Sequence, residues 1–239
     1  MRVVILCGGR GTRLHSADRE LPKPLVEVGG MPILWHVVGI FAAQGLTRFT
    51  LCTGYRSDQI EAFVASAAWP ADVDIACMQT GVDTPTGGRI HAIRERLGGG
   101  PFLVAYSDGL ADLDIAALVA RHRRDGVLGT VTVVQPELPF GVVDLDGAER
   151  VVGFHEKPRS EHWINGGFFV FEPGVLDYLR PDSVLEREPL EALAAAGQLG
   201  AYRHEGFWRC MDTYKDAVAL NDLWAAGSPP WTNVRAPRD

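Results

Sequence analysis

The run Val3-Val4-Ile5-Leu6-Cys7-Gly8-Gly9-Arg10-Gly11-Thr12-Arg13-Leu14 passes from a short β-branched apolar stretch directly into glycines. Four consecutive apolar residues stopped by Gly8-Gly9 read as a strand buried on both faces, the kind found in parallel sheets. Glycines just past such a strand let the backbone approach a ligand closely and turn N–H groups toward phosphate. Arg13, with Lys23 in Pro22-Lys23-Pro24, adds two positive charges suited to a triphosphate. The glycine cluster by itself also fits a plain strand-to-helix turn. It is not a P-loop, which requires Lys-Ser or Lys-Thr where Thr12-Arg13 stands. Nor is it a dinucleotide fingerprint, which requires a third glycine at Leu14 and an acidic end to the second strand, where Cys52-Thr53-Gly54 is found.

Working outward, strand and helix signals alternate. Strands are expected over 49–52, 73–78 and 102–106. Helices are expected from Pro32 to about Gly45, from a capping Ser57 onward, over 89–97 and over 114–124. This alternation predicts parallel βαβ units with right-handed crossovers. They bring the Gly8–Arg13 loop and Asp108 to the carboxyl edge of one sheet, where open α/β sheets bind ligands. The second half reads as mixed α and β, with strands over 130–134, 142–145, 151–155 and 168–171 and helices over 189–196 and 213–224. One domain over 1–227 is expected, followed by an extended tail over 228–239.

The net charge of −7, with 46% hydrophobic and 22% charged residues, fits a globular protein and argues against a nucleic-acid binder. No apolar run is long enough to span a membrane. Cys7, Cys52, Cys77 and Cys210 form no C-x-x-C pair, so a zinc site or disulfide framework is not expected. Reduced thiols and a cytoplasmic location are.

Two further groups of residues carry chemistry. Asp108 follows the fourth strand, and Asp212 follows Trp208-Arg209-Cys210-Met211; together they offer oxygen ligands for Mg²⁺. Taken singly, Asp108 also fits a turn Asp-Gly and Asp212 a helix N-cap. Glu156-Lys157-Pro158 with Ile164-Asn165-Gly166-Gly167 offers hydrogen bonds to sugar hydroxyls and a cation for a phosphate. A surface hairpin ion pair between Glu156 and Lys157 is the plainer alternative.

The combination of Leu6-x-Gly8-Gly9-x-Gly11-Thr12-Arg13-Leu14, Pro22-Lys23-Pro24, Glu156-Lys157-Pro158 and Asn165-Gly166-Gly167 resembles the sugar-1-phosphate nucleotidyltransferases. The likeness covers nearly the whole chain. Within the family the chain is most similar to the glucose-1-phosphate cytidylyltransferase branch, on Pro32-Ile33-Leu34-Trp35-His36, Thr86-Gly87-Gly88-Arg89, the run from Ser107 to Ile115, Trp163 to Phe169 and Gly206 to Thr213. The resemblance implies a Rossmann-like nucleotide-diphospho-sugar transferase fold of the α/β class, a mixed and mostly parallel sheet with helices on both faces. It implies an NTP, CTP in this branch, and a sugar 1-phosphate as substrates, Mg²⁺ as cofactor, and a homo-oligomer.

Residue by residue, the resemblance assigns nucleotide binding to Leu6, Gly8, Gly9, Gly11, Thr12, Arg13 and Lys23. Thr80, Gly81 and Gly88 form the base pocket. Arg13, Lys23 and Asp108 are catalytic, and Asp108 and Asp212 hold the metal. Tyr106, Glu156, Lys157, Asn165 and Gly166 bind the sugar phosphate. The chain departs from the branch at Leu21, where a second lysine is usual, and before Gln79, where the segment is shorter. Two rival readings rank below this one. A non-catalytic regulatory protein would lose Arg13, Lys23 or an aspartate. A glycosyltransferase would carry Asp-x-Asp, and Asp112-Leu113-Asp114 reads instead as the start of a helix.

Overall fold

A computed structural model describes residues 1–9 and 21–232. Strand β1 (Arg2–Leu6) is followed by the short pair β2 (Glu27–Val28) and β3 (Met31–Pro32), then helix α1 (Ile33–Ala42) and β4 (Arg48–Thr53). Helix α2 (Ser57–Ser66), β5 (Asp74–Gln79), α3 (Thr86–Ala92), β6 (Phe102–Tyr106), β7 (Gly109–Ala111) and α4 (Ile115–Asp125) come next. The second half holds β8 (Gly129–Val134), β9 (Val142–Leu145), β10 (Val151–His155), β11 (Ile164–Phe171), α5 (Glu188–Ala195), β12 (Leu199–Arg203), β13 (Trp208–Cys210) and α6 (Tyr214–Ala225).

Seven strands of the described residues form one sheet in the order β12-β8-β11-β6-β1-β4-β5. The β6, β1, β4 and β5 ladders are parallel, as is β12 on β8, whereas β11 runs antiparallel to both its neighbours. The expected mixed, mostly parallel sheet is therefore present. Successive residues of β1 point to opposite faces, and both faces are covered. Val3 and Ile5 pack with Leu34 and Val37 of α1, Leu118 of α4 and Leu220 of α6. Val4 and Leu6 pack with Ile90 of α3 and Leu193 of α5. Each side chain so removed from water contributes about 1.5–3 kcal/mol, which makes the apolar run of β1 the keel of the fold.

Several local expectations are corrected. Ser57 does not cap α2: Arg56, with φ 50°, occupies the cap position, and Ser57 Oγ accepts a hydrogen bond from Gln79 Nε2 at 2.6 Å. Helix α3 starts at Thr86 rather than Arg89 and gives way to a 3-10 turn over Arg94–Arg96. Its Gly87-Gly88 pair, which looks like a helix breaker, lies against the Pro181–Ser183 backbone, where a side chain on Gly88 would fall 2.1 Å from Pro181 O. The C-terminal segment is not simply extended. Pro230–Thr232 forms a 3-10 turn, and Trp231, 1% exposed, inserts beside His36 and Phe207.

The cysteines are free thiols; Cys7 and Cys52 are buried. Burial pushes the Cys7 thiol well above its ordinary pKa and the Cys52 thiol up to about 12.

Candidate functional site

The parallel register of β1 on β6 pairs Leu6 with Tyr106. The glycines after β1 and Asp108 after β6 therefore emerge side by side at the carboxyl edge of the sheet, as the βαβ reading requires. A cavity of about 370 Å³ opens there. Its lining includes six of the residues singled out from sequence: Leu6, Gly8, Gly9, Lys23, Tyr106 and Asp108. Val82, Thr86 and Arg89 complete the opposite wall. Gly11, Thr12 and Arg13 lie outside the described residues.

Asp212 reaches Asp108 through a small antiparallel ladder that no local pattern announces. Strand β13 pairs with β7, Cys210 opposite Gly109, and Met211 N–H then donates to Asp108 O at 2.9 Å. Helix α6 is capped by Thr213, not Asp212. Thr213 Oγ1 accepts from Asp216 N–H while the Asp216 carboxylate accepts from Thr213 N–H, a reciprocal capping box. Asp212 thus has no cap to make, and its carboxylate turns to Lys23. Lys23 Nζ lies 2.5 Å from Asp108 Oδ2 and 2.6 Å from Asp212 Oδ1. Burial alone works against the ammonium, but the charge of Asp108 and hydrogen bonds to both carboxylates outweigh it and hold the Lys23 pKa above its ordinary value. Ligand atoms of Asp108, Cys210 and Asp212 all lie within 4.8 Å of one another, a spacing that could hold a cation. Burial keeps Cys210 a neutral thiol, so the anionic donors are oxygens, which suit a hard divalent ion. The Asp-x-Asp at 112–114 is not part of this group: Asp114 caps α4 through Ala117 N–H at 2.8 Å, and Asp112 Oδ1 lies 3.1 Å from His204 Nε2.

Arg89 organises the wall of the cleft between Gly8 and Val82, a role sequence reasoning missed. Arg89 is 4% exposed, and its guanidinium donates through Nη1 to Thr53 O, Thr80 Oγ1 and Gly81 O, and through Nη2 to Gly8 O and Val82 O. One planar group therefore ties the end of β4, the glycine turn and the 80–82 loop together, as its fork of donors permits. A Cβ on Gly8 would lie 1.9 Å from Arg89 Nη1, which is the reason this position is glycine. An arginine in an otherwise small and apolar helix that faces the sheet was the available signal. Thr80 and Gly81 are thus held as acceptors of Arg89. Gly88 N–H donates to Ser183 O at 3.0 Å, and Gly88 borders a second cavity with Thr80, His91 and Pro181.

At the Tyr106 end of the cleft, Tyr106 O–H donates to Glu186 Oε1 and accepts from Asn165 Nδ2 at 3.2 Å. Thr86 Oγ1 donates to Glu186 Oε2 at 2.6 Å. Burial, reinforced by the Glu186 charge, pushes the Tyr106 pKa up. A register shift in β11 between Asn165 and Phe169 turns the Asn165 side chain to this network. Gly166 O accepts from Trp208 Nε1 at 2.8 Å, and Gly167, with φ +81°, lies against the Tyr106 ring, where a Cβ would come within 2.6 Å. Glu186 was not foreseen, since it sits in a charged loop without periodicity. Glu156 and Lys157 stand apart from this network. They face each other at 3.4 Å just past β10, both largely exposed, which is the hairpin ion pair of the plainer reading.

Comparison with known proteins bears on this edge of the sheet. A family model described as "Nucleotidyl transferase" matches residues 2–225. The chain is 38% identical over 253 residues to a protein named probable glucose-1-phosphate cytidylyltransferase from Bacillus subtilis (strain 168), covering 97% of this chain and 99% of that one. It is 39% identical over 254 residues to a glucose-1-phosphate cytidylyltransferase from Salmonella typhi, covering 97% and 98% respectively. Its fold is similar to that of a putative glucose-1-phosphate thymidylyltransferase from Bacillus anthracis crystallised with sucrose, at a TM-score of 0.75 and 20% identity over 100% of this chain and 98% of that one.

Proposed function

The chain belongs to the nucleotidyl transferase family, and from that premise we propose that it joins the nucleotidyl group of CTP to glucose 1-phosphate and releases pyrophosphate. The observation that carries this reading is the convergence of Asp108 and Asp212 on Lys23, with Lys23 and Asp108 lining the cleft beside Gly8 and Gly9. The named relatives, similar along nearly the full length of both chains, support the choice of base and sugar.

In this reaction a phosphate oxygen of the sugar phosphate attacks the α-phosphorus in line, and the bond from that phosphorus to the β-phosphate oxygen breaks. A phosphate monoester is largely ionised near neutral pH, so no general base is needed. Positioning and charge neutralisation carry the catalysis. Gly8 and Gly9 leave room for the triphosphate, and Lys23 and Arg13 balance its charge. Asp108 and Asp212 would hold Mg²⁺, which would supply charge neutralisation at the phosphates. Tyr106, Asn165 and the Gly166 backbone orient the sugar, and Lys157, paired with Glu156 on the exposed hairpin, supplies a cation for its phosphate. Thr80, Gly81 and Gly88 shape the base pocket around Arg89.

The apolar face of the β9–β10 hairpin supports assembly into a homo-oligomer. The free thiols and the phosphorylated substrates support a cytoplasmic place of action.

The test is pyrophosphate release with Mg²⁺, glucose 1-phosphate and each NTP in turn. CTP is expected to exceed UTP by roughly tenfold, since a lost base hydrogen bond leaves a buried polar group unpaired. A preference for GTP, ATP or dTTP overturns the cytidylyl assignment.

A further inference from the structure

Lys23 stands where a cation shared by Asp108 and Asp212 would stand. Its ammonium is within 2.6 Å of an oxygen of each carboxylate, and its side chain is 13% exposed. The backbone beneath it is fixed: Pro22 and Pro24 flank Lys23 in a tight 3-10 turn whose last N–H, from Val26, returns to Lys23 O. An ammonium and a divalent ion cannot share the same two carboxylates, because both are positive and both need the same oxygens in a partly dry site. The same lysine lines the cleft alongside Gly8 and Gly9, so a side-chain rotation is enough to carry its charge from the carboxylates to a bound polyphosphate.

We propose that Lys23 is a built-in competitor for the divalent cation. In the nucleotide-free protein its ammonium closes the Asp108–Asp212 pair. The pair opens to metal when the triphosphate in the cleft takes over that ammonium. Metal and nucleotide then enter together, and the two carboxylates stay neutralised and ordered between turnovers. This inference rests on the metal reading of Asp108 and Asp212 given above. It adds that Lys23 couples metal entry to nucleotide entry.

The experiment measures Mn²⁺ affinity of the nucleotide-free protein, by electron paramagnetic resonance of free Mn²⁺, for the wild type and for Lys23→Met. Lys23→Gln serves as a second variant, and thermal melts verify that each is folded. The binding-competent state of the wild type is the fraction with Lys23 withdrawn, and affinity is reduced by that fraction. Both variants are expected to bind Mn²⁺ at least about tenfold tighter than the wild type. Adding Asp108→Asn to Lys23→Met is expected to abolish the gain. Equal or weaker Mn²⁺ binding by the folded Lys23 variants overturns the competition while leaving the metal site standing, provided Mn²⁺ still binds in the presence of CTP. Mn²⁺ binding by none of the proteins, with or without CTP, overturns both the competition and the metal reading.

Discussion

Arg89 Nη2 donates to the main-chain oxygen of Gly8 at 3.0 Å, and no side chain fits at Gly8 without expelling that guanidinium. The glycine turn is therefore defined by a buried arginine as much as by its own flexibility. Gly8→Ala is expected to cost about 1–3 kcal/mol of stability through overpacking, and to lower kcat/KM for the nucleotide by roughly tenfold or more, a factor worth 1.36 kcal/mol in the barrier. Arg89→Lys is expected to follow it, because one ammonium cannot span acceptors on three segments. Denaturant titration and steady-state kinetics check both. Wild-type behaviour of Gly8→Ala would contradict the packing described for this turn.

The carboxylate pair allows metal binding to be separated from helix capping. Asp108→Asn and Asp212→Asn are each expected to lower turnover about a hundredfold or more in Mg²⁺, with the melting temperature nearly unchanged. Thr213→Ala removes the cap of α6 next door and is expected to cost about 1 kcal/mol of stability, with activity retained at temperatures where it stays folded. If Asp212→Asn instead loses stability and keeps turnover, Asp212 is a structural residue.

What could be read in advance follows a physical divide. The β1 run, the apolar faces of α1 and β6, and the Asp108-Gly109 corner are local patterns, and the sheet edge they define is present. Strand β12 escaped because Gly200 interrupts its apolar run and it is half-exposed at the end of the sheet. The β7–β13 ladder escaped because it joins segments about a hundred residues apart, and nothing in either segment marks the other. Glu186 was invisible as a site residue for the same reason, since its partners Tyr106 and Thr86 belong to distant segments.

His36 links the C-terminal segment to pH. Trp231 Nε1 donates to His36 Nδ1 at 3.2 Å, so Nε2 carries the proton and donates to Val28 O at 2.8 Å. Burial holds the His36 pKa below its ordinary value. The unfolded chain binds a proton near pH 6.5 that the native protein refuses, so this contribution to stability is complete above about pH 6.5 and is lost as pH falls below it, down to the native pKa. The melting temperature is expected to drop between pH 7.5 and pH 5.5, and His36→Gln is expected to flatten that drop. An unchanged slope in the variant would exclude His36 as its source.

The β9–β10 hairpin bears on assembly. Its register sets Phe154 opposite Val143 and Val151 opposite Leu145, an apolar face with Phe154 65% exposed, while the other face carries the His155–Asp144 pair at 3.1 Å. A two-stranded ribbon with such a face needs cover. The protein is expected to sediment as a species larger than the 26.0 kDa chain, and Phe154→Glu with Leu145→Glu is expected to shift it toward the monomer. A monomeric wild type would leave the apolar face to another partner.

The central claim is the bond that is made. ³¹P nuclear magnetic resonance of the protein with Mg²⁺, CTP and glucose 1-phosphate follows it directly. The account predicts a pair of coupled diphosphate resonances from the nucleotide sugar, appearing in equal amount with pyrophosphate as the glucose 1-phosphate signal disappears. Pyrophosphate accompanied by CMP, or no change in either substrate with any NTP and sugar 1-phosphate supplied, would contradict it.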